Sequence, residues 1–170
     1  MLVTVSSNSI DRFEITAGDE SHYDAIVALF TSPEEFYLIY PSGSWPFDRS
    51  QLQRLATQRR DFTVVLDNRQ VIGFANLYTN TAGDRFFIGN VVISEAYRGQ
   101  GIGRRLICYM CDIIFEHYAS TVYISVFNVN TPALLLYTSL GFKPCEIEQR
   151  SMPNGDRVAL IHMRLDARSR

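Results

Sequence analysis

Apolar residues recur along this chain in two alternating rhythms, every second residue and every third or fourth, which is the pattern of strands interleaved with helices. Arg12 to Ala17 reads as a first strand. Tyr23, Ile26, Val27 and Phe30 then fall at helical spacing behind a cap at Asp19 or Ser21. Pro33 to Tyr40 predicts a second short helix, broken by Pro41-Ser42-Gly43-Ser44. Asp48, with Gln51 three residues on, caps a third helix reaching about Arg60. Phe62 to Leu66 and Val71 to Tyr78 are strands around the turn Asp67-Asn68, and Thr79 to Asp84 turns into a strand over Phe86 to Ile93. Beyond it, Ile102, Leu106, Tyr109, Ile113 and His117 form a helical stripe. Val122, Ile124 and Val126 alternate as a strand, a short helix covers Thr131 to Leu140, and strands near Cys145 to Arg150 and Val158 to Arg164 flank a turn at Pro153 to Asp156.

The junction between the Phe86–Ile93 strand and the following helix carries the most chemistry. It reads Arg98-Gly99-Gln100-Gly101-Ile102-Gly103-Arg104-Arg105. A glycine-rich turn that opens a helix lets backbone N–H groups approach a phosphate, and the helix start adds partial positive charge. The Walker pattern is absent, since no Gly-Lys-Ser/Thr closes the turn. The dinucleotide pattern fails as well, because its third glycine falls on Arg104 or Leu106 according to the starting point.

A second segment, Val126-Phe127-Asn128-Val129-Asn130-Thr131-Pro132-Ala133-Leu134-Leu135-Leu136-Tyr137-Thr138-Ser139-Leu140-Gly141-Phe142, follows one helix and one strand later. Thr131 is the expected N-cap, with Pro132 at the first helical position. Gly141 suits the left-handed residue that closes a helix. Ala133 and Tyr137, four residues apart, share a face.

Arg98-x-x-Gly101-x-Gly103 and Asn130-x-x-Ala133 with the later Leu136-Tyr137 and Gly141-Phe142 together resemble the two signatures of the GNAT superfamily of N-acyltransferases. The resemblance covers nearly the whole chain in outline, and its specific motifs lie between about Val91 and Phe142. It implies an α/β (α+β) fold: a mixed, mostly antiparallel sheet of about seven strands, flanked by helices and splayed between strands 4 and 5. It also implies acetyl-CoA as acyl donor and an amine as acceptor.

The family roles then carry over residue by residue. Val91, Val92 and Ile93 match the strand whose backbone pairs with the pantetheine arm. Arg98, Gly99, Gln100, Gly101, Ile102, Gly103 and Arg104 match the pyrophosphate turn, with charge available from Arg98, Arg104 and Arg105. Asn130 and Ala133 flank the pantetheine arm. Tyr137 matches the tyrosine that faces the departing thiolate and returns a proton to it, and the Ile93 N–H is the candidate oxyanion donor. Many relatives carry a glutamate base on the fourth strand, where this chain reads Phe87-Ile88-Gly89-Asn90-Val91. Asn90 can hold a water but cannot itself take the proton. Ser125, sharing that water, and Glu34 and Glu35 are the other candidates. The aromatic stretch Tyr37, Tyr40, Trp45 and Phe47 fits either an acceptor pocket or satellite core. The absent glutamate leaves a second class open, a non-catalytic acyl-CoA-binding or sensing domain.

Composition narrows the picture further. The 170 residues are 46% hydrophobic and 20% charged, which fits one domain over residues 1–170, a cofactor-binding core over about 86–142, and a flexible lead-in over 1–10. A net charge of −2 argues against nucleic-acid binding through bulk charge. Neither a secretory signal nor a membrane-length apolar run is apparent, so a cytoplasmic location and no membrane partner are expected. Cys108, Cys111 and Cys145 fit no disulfide framework, and Cys108-x-x-Cys111 lies inside a helix without a second ligand pair, so no metal is expected. A homodimer is consistent with the resemblance, and the sequence leaves the oligomeric state open.

Overall fold

The computed structural model describes residues 12–167, so the lead-in expected over residues 1–10 lies outside the described residues. Seven strands form one sheet in the order β1-β2-β3-β4-β5-β7-β6. They are β1 (Phe13–Ala17), β2 (Arg60–Asp67), β3 (Gln70–Thr79), β4 (Phe86–Ile93), β5 (Thr121–Phe127), β6 (Lys143–Ser151) and β7 (Arg157–Asp166). All neighbours are antiparallel except β4 and β5. The helices are α1 (Tyr23–Val27), α2 (Pro33–Ile39), α3 (Arg49–Gln58), α4 (Ile102–His117) and α5 (Thr131–Ser139). The mixed, mostly antiparallel sheet expected from the sequence is therefore present.

Alternation along the strands assigns the two faces. Ile88, Val122, Ile124, Val126, Met163 and Leu165 join α4 and Tyr137 of α5 in one buried cluster. The residues between them, Phe87, Tyr123, Ser125 and His162, therefore face the other side. Over the first half of the sheet that second side is covered by Ile26, Phe30, Phe36, Phe47, Leu52 and Leu55 from the α1–α3 region. A fully buried Leu or Ile contributes about 1.5–3 kcal/mol relative to exposure, so the two clusters hold the sheet from both sides.

The inward stripe of α4 runs through Ile102, Leu106, Ile107, Met110, Cys111 and Ile114. The expected stripe through Tyr109, Ile113 and His117 sits about one residue off this face; Tyr109 and His117 are exposed. Both sets share helical spacing, and the packing of Met110 and Ile114 against the sheet selects between them. Helix caps follow the sequence closely elsewhere. Asp48 accepts from Gln51 N at 2.8 Å, and Asp19 caps the short 3-10 turn Glu20–His22 ahead of α1. At α5 the cap is Asn130, not the expected Thr131. Asn130 Oδ1 receives the Ala133 N–H at 3.4 Å, which draws Thr131 into the helix.

The sheet opens at its centre. β4 and β5 pair only at Phe86–Val122, Phe87–Tyr123 and Ile88–Ile124, while β5 continues to Phe127 and β4 to Ile93. A bulge forces them apart: between the pairs Phe74–Val92 and Asn76–Gly89, β4 carries one residue more than β3. Asn90 sits in that bulge at φ 52°, a left-handed conformation that asparagine tolerates better than most residues. Its side chain accepts from Asn76 Nδ2 at 2.9 Å and donates to the Ile39 carbonyl at 3.2 Å. The splay expected between strands 4 and 5 is thus built by a bulge and tied to α2.

Candidate active site

The splay opens into a cavity of about 1120 Å³ that runs through the sheet. Every cofactor-binding residue expected from the sequence lines it except Gln100, whose amide turns back to the Ala96 carbonyl. On the α4–α5 side stand Gly101, Ile102, Gly103, Arg104, Asn130, Ala133 and Tyr137. On the opposite side stand Tyr37, Tyr40, Arg59, Tyr78, Ser125 and His162.

The phosphate turn has the geometry its composition demands. Gly99 and Gly101 adopt φ of 75° and 78°, and a Cβ built at either would meet nothing within 4 Å. The left-handed backbone favours glycine, and open space lies before the first turn of α4, whose N–H groups are of the kind that can receive an anion. Gly103 faces Leu136 of α5, where an added Cβ would sit at 3.5 Å. The turn is anchored from behind by buried Asp67. This carboxylate receives Arg12 through both its oxygens, the Tyr97 hydroxyl at 3.0 Å and Asn68 Nδ2 at 3.1 Å. The Arg12 guanidinium and the Tyr97 hydroxyl hold its carboxyl below the usual carboxylate range.

The arginines of the motif divide their work. Arg98 donates through Nε to the Ile93 carbonyl at 3.0 Å and ion-pairs with Glu35, fastening the turn to α2. Arg104 reaches Ser139 Oγ at 2.6 Å and stays beside the turn. Arg105 bonds the Phe13 carbonyl and does not line this cavity.

Backbone register decides what the end of β4 offers. Ser94 N donates to the Ile72 carbonyl at 2.8 Å, so Ile72–Ser94 is a hydrogen-bonded pair and the adjacent Gly73–Ile93 pair is not. The N–H and C=O of Ile93 therefore point away from β3, toward the splay. Its carbonyl is taken by Arg98, and its N–H faces the gap.

Tyr137 is 6% exposed, and burial alone raises the pKa of its phenol well above the usual value. The hydroxyl stays protonated at neutral pH and can serve as a proton donor. The candidate bases fare differently. Asn90 is engaged with Asn76 and Ile39. Glu35 pairs with Arg98, and Glu34, in the first turn of α2, does not line the cavity. At Gly89 of β4 there is no room for a side chain: an added Cβ would meet the Tyr78 ring at 2.9 Å. Tyr78 lies where a side chain from β4 would otherwise enter.

Ser125 leads to two residues that motif reading missed. Its Oγ lies 2.7 Å from Nδ1 of His162, whose Nε2 lies 2.5 Å from Glu148 Oε1. The register makes this possible, since Ser125 pairs with His162 and His162 with Glu146, two residues before Glu148 on the same face of β6. A carboxylate only accepts, so Nε2 donates to Glu148, and in the neutral imidazole Nδ1 is then left to accept from the serine hydroxyl. Arg150 holds the other oxygen of Glu148 at 2.7 Å. His162 and Glu148 lie 37 and 14 residues from their partners, and no local spacing connects them.

The aromatic stretch splits between its two readings. Phe47 is buried against Phe30 and Phe36, each with ring centroids 5.1 Å away. Tyr37 and Tyr40 line the cavity, with the Tyr37 hydroxyl bonded to the Ser151 carbonyl at 2.7 Å. Trp45 stacks obliquely on Phe36 and remains 43% exposed. Among the described residues no cluster of His, Cys, Asp and Glu could hold a metal ion, and no helix is long and apolar enough to cross a membrane.

Comparison with known proteins agrees with this geometry. Residues 23–142 match the model of the acetyltransferase (GNAT) family. The chain is 32% identical over 89 residues to streptothricin acetyltransferase of Streptomyces lavendulae, a match covering 52% of this chain and 47% of that protein. It is 29% identical over 124 residues to the ribosomal protein bS18-alanine N-acetyltransferase of Escherichia coli K12, covering 73% of this chain and 82% of the relative. Among solved structures, yncA of Salmonella typhimurium with its cofactor acetyl-CoA superposes with a TM-score of 0.72 at 18% identity, over 92% of this chain and 95% of that one. The chain belongs to the acetyltransferase (GNAT) family, acyltransferases that take their acyl group from acetyl-CoA.

Proposed function

We propose that this protein transfers an acetyl group from acetyl-CoA to a primary amine by direct attack, with the two substrates entering the splay from opposite faces of the sheet. The observation that carries this reading is the placement of a proton acceptor and a proton donor on the two sides of one opening. Ser125 and His162 stand on one side and Tyr137 on the other.

Acetyl-CoA supplies a thioester carbonyl for the amine to attack and a thiolate that leaves. The glycine turn 99–103 and Arg104 hold the diphosphate end, and Asn130 and Ala133 border the arm. A C–N bond forms and a C–S bond breaks, so one proton must leave the nitrogen and one must reach the sulfur. Ser125 Oγ takes the nitrogen's proton as its own passes to Nδ1 of His162, and Glu148 steadies the imidazolium through Nε2. The Ile93 N–H donates to the oxygen on which negative charge develops. Tyr137 gives its proton to the departing sulfur.

The non-catalytic alternative rested on the missing glutamate of β4. Tyr78 packs against Gly89 of that strand, and the Ser125–His162–Glu148 array supplies a base from β5, β7 and β6 instead. An amine-acceptor screen that reads free thiol release from acetyl-CoA tests the proposal. Thiol release that requires both amine and protein supports it. Acetyl-CoA binding without amine-dependent release from any acceptor would return the chain to the binding-domain reading.

A further inference from the structure

The acceptor half of the cavity carries a cation that no carboxylate among the described residues neutralises. Five arginines and three glutamates line the whole opening. Glu35 pairs with Arg98, Glu146 with Arg85, and Glu148 with Arg150. Two arginines remain. Arg104 stands at the phosphate turn, where the cofactor brings its own negative charge. Arg59, at the C-terminal end of α3, stands on the other side of the sheet. Its guanidinium lies 4.1 Å from the centroid of the Tyr78 ring, near Tyr40, and no carboxylate pairs with it among the described residues. Burial disfavours its charge, as its lowered pKa records.

We infer that Arg59 is the anchor for a carboxylate on the acceptor, so that the amine substrate is an amino acid and not a polyamine. A planar guanidinium fixed against an aromatic ring presents a fork of donors that fits a carboxylate in two bonds. Position supports the assignment. Tyr78 carries Arg59 over its ring, and its hydroxyl interacts with Ser125. An acceptor whose carboxylate meets Arg59 spans the phenol ring and delivers its amine to Ser125, the first member of the proton relay. A polycation would meet an unpaired arginine where it needs a carboxylate, and the three glutamates of the cavity are already engaged.

This inference rests on the proposed acetyl transfer and is tested with that activity. Amino acids are compared with their own carboxamides as acceptors, together with spermidine, using the wild-type protein and the Arg59→Gln and Arg59→Lys variants. Wild type should favour the acid over its amide by about tenfold or more in kcat/KM, as loss of a charge-assisted pair implies. The amide's amine is the less basic and so the more available at neutral pH, which biases the comparison against the expected result. Arg59→Gln should bring acid and amide within about twofold while the KM for acetyl-CoA stays unchanged, and Arg59→Lys should restore part of the difference. Equal use of acid and amide by wild type, or a preference for spermidine, would overturn the substrate class while leaving acetyl transfer intact. A preference for acids that survives in Arg59→Gln would overturn the role of Arg59. Thiol release with no acceptor at all would instead remove the function on which the inference rests. The wild-type comparison stands even if a variant fails to fold.

Discussion

At the scale of single residues, the proposed reaction is divided between side chains on opposite faces of one sheet. Burial raises the Tyr137 phenol above its ordinary range, with no neighbouring charge involved. Tyr137→Phe keeps the ring in place and removes only the hydroxyl, so turnover should fall by about two orders of magnitude with acetyl-CoA affinity unchanged. Steady-state kinetics and calorimetry on the same variant check both parts. On the other face, His162→Gln should lower kcat by a similar factor of about a hundred while leaving the KM for acetyl-CoA unchanged. A merely structural histidine would change stability without this split between kcat and KM. Tyr137 was legible because it lies in a contiguous motif. His162 and Glu148 were not, because what joins them to Ser125 is strand register across β5, β7 and β6.

At the scale of elements, two left-handed backbone positions shape the site. Gly101, at φ 78°, opens α4 with empty space before it. Gly101→Val adds backbone strain on the order of 1–3 kcal/mol and fills the space proposed for phosphate, so acetyl-CoA affinity should drop at least about tenfold. Retained affinity in calorimetric titration would remove the turn from the binding account. Asn90 forms the bulge that opens β4 from β5. Asn90→Ala strips a buried hydrogen bond from Asn76 and should destabilise the fold by about 1–3 kcal/mol. Asn90→Gly, which accepts the same backbone conformation, should cost less. Urea midpoints at constant slope measure the difference. The strand and helix order was readable from periodicity, and the motif spacing pointed to the splay. Two local features were not readable. The α5 cap moved to Asn130, and the buried face of α4 shifted by about one residue; both depend on which neighbouring surface the element meets.

At the scale of the whole molecule, the sheet works as a partition with one opening. The cofactor turn is tied to the rest of the fold through Asp67, which joins the segment before β1, the end of β2 and the 3-10 turn Glu95–Tyr97 ahead of α4. Its carboxyl titrates below the usual range in the folded state. The stability it contributes is therefore present above the ordinary carboxylate pKa and is lost as pH falls through the folded value. Asp67→Asn should lower the melting temperature at pH 7 and converge on wild type in acid. A constant difference across that range would contradict the linkage. The family resemblance was legible in the sequence because two motifs lie on either side of β5. The face proposed for the acceptor was not, since Arg59, Tyr78 and Ser125 come from separate elements that only the folded sheet brings together.

Every proposed step depends on the glycine turn and the splay holding acetyl-CoA. The most direct measurement is calorimetric titration of the protein with acetyl-CoA, repeated with NAD and ATP. Saturable binding of acetyl-CoA alone is the expected result. Absence of acetyl-CoA binding, or equal binding of all three, would contradict the account at its base.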